Sequence, residues 1–144
     1  MPRSIRPVAG AIAWCDLTVT DARALRDFYA AVAGWKPKAL SMGTYSDYLM
    51  RKPGGGQAVA GVCHAQGVNA DMPAQWLVYI TVANLDAALR ACARRGGEVV
   101  AGPKGMSGGS RYAVIRDPAG AVAALFEPAP VKKTAGRRAR KRAR

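Results

Sequence analysis

The sequence predicts an α+β fold built from two copies of one βαβββ unit. Three observations carry that prediction. The chain has 144 residues, the size of one compact domain of about 100–150 residues. Its halves align at a constant shift of 63 residues: Leu17-Thr18-Val19-Thr20-Asp21 falls on Ile80-Thr81-Val82-Ala83-Asn84, and Ala58-Val59-Ala60-Gly61 falls on Ala121-Val122-Ala123-Ala124. Ala24, Ala30 and Gly34 fall on Ala87, Ala93 and Gly97 at the same shift. The turn formers Pro53-Gly54-Gly55-Gly56 and Asp117-Pro118-Ala119-Gly120 stand before the last strand of each half. A shared offset at both ends of each half implies one supersecondary unit used twice.

Each unit opens with a strand, Ala11 to Val19 and then Gln75 to Val82. The run Leu77-Val78-Tyr79-Ile80-Thr81-Val82 is rich in β-branched and aromatic residues, which suit a pleated surface. A helix follows in each half. Thr20 or Asp21 is placed to cap the first and Asn84 the second, because a short oxygen-bearing side chain can accept from the unpaired amides of the first turn. Leu25, Phe28, Tyr29 and Val32 recur at helical spacing, as do Leu85, Ala88, Leu89 and Cys92. Gly34 and Gly96-Gly97 stop the helices. Three strands complete each unit: Trp35–Met42, Tyr45–Lys52 and Ala58–His64, then Glu98–Pro103, Arg111–Arg116 and Ala121–Glu127.

Composition excludes several classes. Half of the residues are hydrophobic, too many for a wholly disordered chain. No apolar run approaches the roughly 20 residues of a membrane span. The start, Met1-Pro2-Arg3-Ser4-Ile5-Arg6-Pro7, lacks the apolar core of a secretory signal and reads as an extension, residues 1–7. Three cysteines, Cys15, Cys63 and Cys92, form no metal-like pair and suggest reduced thiols in a cytoplasm.

The net charge of +13 comes from 22 basic and 9 acidic residues. Lys132 to Arg144 holds 8 of the basic residues and no acid, leaving a net of +5 for the rest. Pro128-Ala129-Pro130 precedes that segment as a stiff boundary. With no apolar face to bury and with self-repelling charge, residues 131–144 read as a disordered tail. Such a tail is either an anchor on nucleic-acid phosphates or a solubilising extension. It has no aromatic residue for base stacking.

The doubled unit, with Asp16-Leu17-Thr18-Val19-Thr20-Asp21, Phe28-Tyr29 and Gly34-Trp35 in one half, resembles the vicinal oxygen chelate superfamily. The second half adds Tyr79-Ile80-Thr81-Val82-Ala83-Asn84-Leu85-Asp86, Gly96-Gly97 and the Asp117-Pro118-Ala119-Gly120 turn. That superfamily includes glyoxalases, bleomycin-resistance proteins and extradiol dioxygenases. The resemblance implies one domain over 8–130, with units 8–66 and 74–128. It implies an open half-barrel cup with helices outside, and a homodimer.

Metal-using members take one ligand from the first strand and one from the last strand of each unit. The matching positions here carry Trp14, Gly61, Leu77 and Ala124, none with a donor atom. His64 is the only histidine. No metal and no cofactor is expected. Strand alternation then puts Trp14, Asp16 and Thr18 toward the cup, with Leu77, Tyr79 and Thr81 from the second unit. Val59, Gly61, Cys63, Val122, Ala124 and Phe126 come from the last strands. Tyr48 and Tyr112 join if their phase allows. Trp14 is the residue expected to stack on a planar ligand. Cys63 and His64 are adjacent and should point to opposite faces. The segment from Cys63 to Pro73 either covers part of the cup mouth or mediates dimer contacts.

Three functions remain open. A small, mainly apolar or aromatic molecule binds in the cup. Alternatively, Asp16, Tyr79 or Cys63 runs metal-independent proton-transfer or lyase chemistry. In the third, the basic tail holds the protein on nucleic acid.

Overall fold

The computed structural model describes residues 7–131. The expected extension and basic tail fall mostly outside them. Eight strands and two helices run in the order β1 (Ile12–Val19), α1 (Ala22–Ala33), β2 (Lys36–Ser41), β3 (Ser46–Arg51), β4 (Ala58–His64), β5 (Trp76–Thr81), α2 (Leu85–Arg94), β6 (Glu98–Gly105), β7 (Arg111–Arg116) and β8 (Val122–Glu127). This is βαβββ twice, in one mixed sheet of order β2-β3-β4-β1-β5-β8-β7-β6. The sheet does not close: β2 and β6 are its edges.

The two units meet at a central seam. β1 runs antiparallel to β5, with Trp14 opposite Tyr79 and Asp16 opposite Leu77. Within each unit the first strand pairs in parallel with the last, Asp16 beside Gly61 and Tyr79 beside Ala124. The internal symmetry seen in the sequence is therefore also a symmetry of pairing.

Capping chemistry sets the helix starts. The Asp21 carboxylate accepts from the Ala24 amide at 3.1 Å, and the Asn84 side chain accepts from the Ala87 amide at 2.9 Å. Each satisfies an amide that the first helical turn leaves unpaired. Gly34 ends α1 with φ of 70°, the left-handed conformation in which a Cβ is costly.

α1 packs over β2, β3 and β4, and α2 over β6, β7 and β8. Under α1 lies a cluster of Ala22, Tyr48, Met50 and Val62, flanked by Val19, Leu25, Tyr29, Trp35 and Trp76. Under α2 lie Leu85, Ala113 and Leu125, flanked by Ile80, Ala88 and Leu89. The opposite sheet face carries a third cluster, Met72, Leu77, Tyr79, Ala101, Tyr112, Val114 and Ala124. Trp76 belongs to the core: its Nε1–H donates to the Tyr29 hydroxyl at 2.9 Å, and its ring meets those of Tyr29 and Trp35 edge-on.

The helical apolar stripe of α1 is only partly used. Leu25 and Tyr29 pack inward, whereas Phe28 and Val32 are 51% and 67% exposed. A stripe read at i, i+3, i+4 and i+7 spans a broad face. Here the sheet covers only the side of it that carries Leu25 and Tyr29.

Candidate functional site

The sheet face opposite the helices holds a cavity of about 450 Å³. Alternation along β1 brings Trp14, Asp16 and Thr18 to it; β4 adds Gly61 and Cys63, β5 adds Tyr79, β7 adds Tyr112 and β8 adds Phe126. Gly61 makes the room at the centre. A Cβ there would meet the Asp16 Cβ at 3.2 Å and the Trp14 ring at 3.3 Å, tighter than ordinary van der Waals contact.

Asp16 is the polar focus of the wall. The Trp14 Nε1–H donates to its Oδ2 at 3.3 Å. Its Oδ1 is buried without a hydrogen-bond partner among the described residues. Burial pushes the carboxyl up to about 6, against the opposing pull of the Tyr79 hydroxyl and the Trp14 indole, with the nearby Asp47 charge adding to the rise. The Tyr79 hydroxyl is thus a neighbour of this carboxylate, yet it completes no well-formed bond to Oδ1.

The other two catalytic candidates are held in their neutral forms. Burial, then the Asp16 charge, raises the Tyr79 phenol far above its ordinary range. Burial and the carboxylates of Asp16 and Asp47 do the same to the Cys63 thiol. A buried thiol beside two carboxylates is a poor nucleophile, because the thiolate is the reactive form. Tyr112 is likewise pushed up to about 12, mainly by burial. Cys63 and His64 do point apart: Cys63 borders the cavity, while His64 Nδ1 donates to the Ser46 carbonyl at 2.9 Å.

Six expected wall residues are placed differently: Val59, Leu77, Thr81, Val122 and Ala124 do not border the cavity, and Tyr48 borders it with its ring turned away. Leu77 and Ala124 have 0% exposure and do not reach the cavity. They lie instead in a buried cluster with Tyr79, Tyr112, Val114 and Met72, the last from the segment between the units. Tyr48 borders the cavity, but its ring packs on the helix side with Met50 and Val62, beneath the Arg26 guanidinium at 4.8 Å. Tyr48 stands opposite Val62, so the next residue, Leu49, stands opposite Gly61 and takes the cup-facing phase.

Sequence reasoning missed Asp47, Leu49, Asn69 and Met106, all of which border the cavity. Asp47 is buried and accepts from the His64 amide at 2.8 Å. Asn69 lies on the connecting segment and accepts from the Tyr112 hydroxyl at 2.6 Å. Lys104 ties that segment down through Asp71 and the Val68 carbonyl. These contacts hold the segment against the cavity wall. For β3, pairing against β4 could have fixed the phase, since Ser46-Asp47-Tyr48-Leu49 does not alternate cleanly by itself.

The donor set does not fit a four-ligand metal site. Trp14, Gly61, Leu77 and Ala124 offer no donor atom, and no group of three His, Cys, Asp or Glu among the described residues is placed to hold a metal. No helix of the described residues is long and apolar enough to cross a membrane.

Comparison with known proteins follows the fold. A family model described as the glyoxalase/bleomycin resistance protein/dioxygenase superfamily matches residues 11–125. Anthracycline biosynthesis protein DnrV of Streptomyces peucetius is 35% identical over 132 residues, covering 81% of this chain and 46% of that protein. CFP32 of Mycobacterium tuberculosis, which bears a provisional glyoxylase name, is 31% identical over 121 residues, 84% of this chain and 45% of that protein. The chain thus spans about half the length of these curated relatives. Methylmalonyl-CoA epimerase from Mycobacterium tuberculosis superposes with a TM-score of 0.53 at 20% identity, over 86% of this chain and 91% of that one. A hypothetical protein from Bacillus halodurans superposes with a TM-score of 0.55 at 12% identity, over 86% and 98%. These structural likenesses concern the fold.

Proposed function

The chain belongs to the glyoxalase/bleomycin resistance protein/dioxygenase superfamily, and from that premise we propose that its cup binds a small, mainly apolar or aromatic molecule without a metal ion. The observation that carries the reading is the cavity itself. Its wall is largely apolar and aromatic, with Trp14, Leu49, Tyr79, Tyr112 and Phe126, and it contains one buried carboxylate oxygen with no partner among the described residues. A small-molecule site has this make-up: apolar area for affinity and few polar groups for orientation. The Asp16 Oδ1 is the orienting acceptor, and it favours a ligand that brings an N–H or O–H. The absence of donor side chains at the four family positions supports the metal-free part of the reading.

Calorimetric titration with 2-naphthalenemethanol tests it. Binding is expected to the parent chain, and Gly61→Leu, which pushes a side chain between Asp16 and Trp14, should weaken it about tenfold or more. Equal affinity in a folded Gly61→Leu variant, or one metal ion per chain in the purified protein, contradicts the reading.

A second reading is favoured by one observation, the Asp16 carboxyl pushed up to about 6. A carboxylate so placed suits proton transfer near neutral pH. Asp16→Asn separates the two: it abolishes turnover if Asp16 is a base, and only reduces affinity if Asp16 orients a ligand.

A further inference from the structure

Among the described residues, the charges that border the cavity have one sign. Asp16 and Asp47 border it, and no Lys, Arg or His does among the described residues. This occurs in a chain of net charge +13, so the acidic cup is a local exception. Lys104 serves the connecting segment through Asp71 and Val68. Arg26 sits on the helix side of the sheet, over Tyr48. Neither stands among the residues bordering the cavity.

The two acids differ in how they are satisfied. Asp47 accepts the His64 amide, and its charge adds to the rise of the Cys63 thiol. Asp16 has one indole bond and one buried oxygen that no described residue satisfies. Leaving a buried charged acceptor unmatched is costly. A neutral donor would satisfy Oδ1 and leave two like charges facing one cavity. A cation would do both jobs, completing the hydrogen bond and offsetting the repulsion between Asp16 and Asp47. The cavity is bordered by the aromatic residues Trp14, Tyr79, Tyr112 and Phe126, and aromatic rings attract cations through their quadrupoles.

We infer that the ligand of the cup is an organic cation, an aromatic or apolar body carrying a protonated amine or amidine that pairs with Asp16. The inference rests on the small-molecule reading above and narrows its ligand class. Asp16 faces Trp14 and Thr18 on β1, Asp47 on β3, Cys63 on β4, Tyr79 on β5 and Tyr112 on β7. Tyr79, Tyr112 and Cys63 stay neutral through pH 5–8 because burial raises all three. His64 is a further titratable group near Asp47, with its Nδ1 at 3.7 Å from that carboxylate. Asp16 gains its proton near pH 6 in the empty cup, so a cation must compete with that proton below it.

Three isosteric probes test this in one calorimetric series: 2-naphthylmethylamine as cation, 2-naphthalenemethanol as neutral form and 2-naphthoate as anion. The cation should bind about tenfold or more tightly than the alcohol at pH 7.5, and the anion least. Its affinity should fall as pH drops from 7 to 5, and Asp16→Asn should erase both the preference and the pH dependence. An alcohol that binds as tightly as the amine overturns the charge preference and leaves the small-molecule reading standing. If none of the three binds, both fall. A pH dependence that survives in Asp16→Asn overturns the assignment to Asp16.

Discussion

Asp16 makes the cup a place of stored instability. In an unfolded chain its carboxyl titrates at its ordinary value of 3.8, and in the fold at about 6. The folded state therefore holds the proton more tightly. The stabilising contribution is complete below about pH 4 and is lost as pH rises through 6. Above pH 7 the buried charge costs about 1–3 kcal/mol, the upper figure being the full shift and the lower allowing for partial solvation. Asp16→Asn should accordingly be more stable than the parent by about that amount at pH 8, and equal to it at pH 4. Urea unfolding at the two pH values checks this; a variant less stable at pH 8 would show that the carboxylate is a net structural asset. The phase of β1 made Trp14, Asp16 and Thr18 legible in the sequence, because strict alternation leaves one choice once one residue is placed. The orphaned oxygen and Asp47 were not legible, since both depend on distances between strands far apart in sequence.

At the scale of elements, caps and turns carry the specification. Asp21 and Asn84 were readable because N-capping is local chemistry, complete within four residues. Asn84→Ala should cost about 1 kcal/mol, measured by thermal or urea unfolding. Gly97 shows a different constraint: a Cβ there would lie 2.5 Å from the Cys92 Sγ and 3.1 Å from the Arg116 carbonyl. Gly97→Ala should destabilise by about 1–3 kcal/mol through overpacking between α2 and β7. If Gly97→Ala melts with the parent, the helix end has room to shift. The strands were legible to within one or two residues at most ends, and the β4 and β7 bounds coincide with those expected. The phase of β3 was not, because Tyr48 and Leu49 are both apolar enough for either face. Pairing with β4 decided between them.

The whole molecule is held together across the seam. β1 and β5 join the units in one sheet, and Trp76 of the second unit packs on Tyr29 and Trp35 of the first. The 63-residue repeat announced two units, but nothing in it announced how they join. The packing of Met72 among Leu77, Tyr79 and Tyr112 was equally hidden, because a repeat cannot describe the segment between its copies. With the seam shared, the two units should unfold in a single transition by fluorescence and circular dichroism. Tyr29→Phe, which removes the acceptor of the Trp76 indole, should lower stability by about 1 kcal/mol without splitting that transition.

The central claim is that the cup beside Trp14 and Asp16 is where a small apolar molecule binds. The chain has three tryptophans, and their indole N–H signals report three places: Trp14 at the cavity, Trp35 and Trp76 in the core under α1. Titrating 2-naphthalenemethanol into nitrogen-15-labelled protein should move the Trp14 indole signal in proportion to occupancy and leave those of Trp35 and Trp76 in place. Movement confined to Trp35 or Trp76, or a Trp14 signal that stays fixed while the probe binds, contradicts the account.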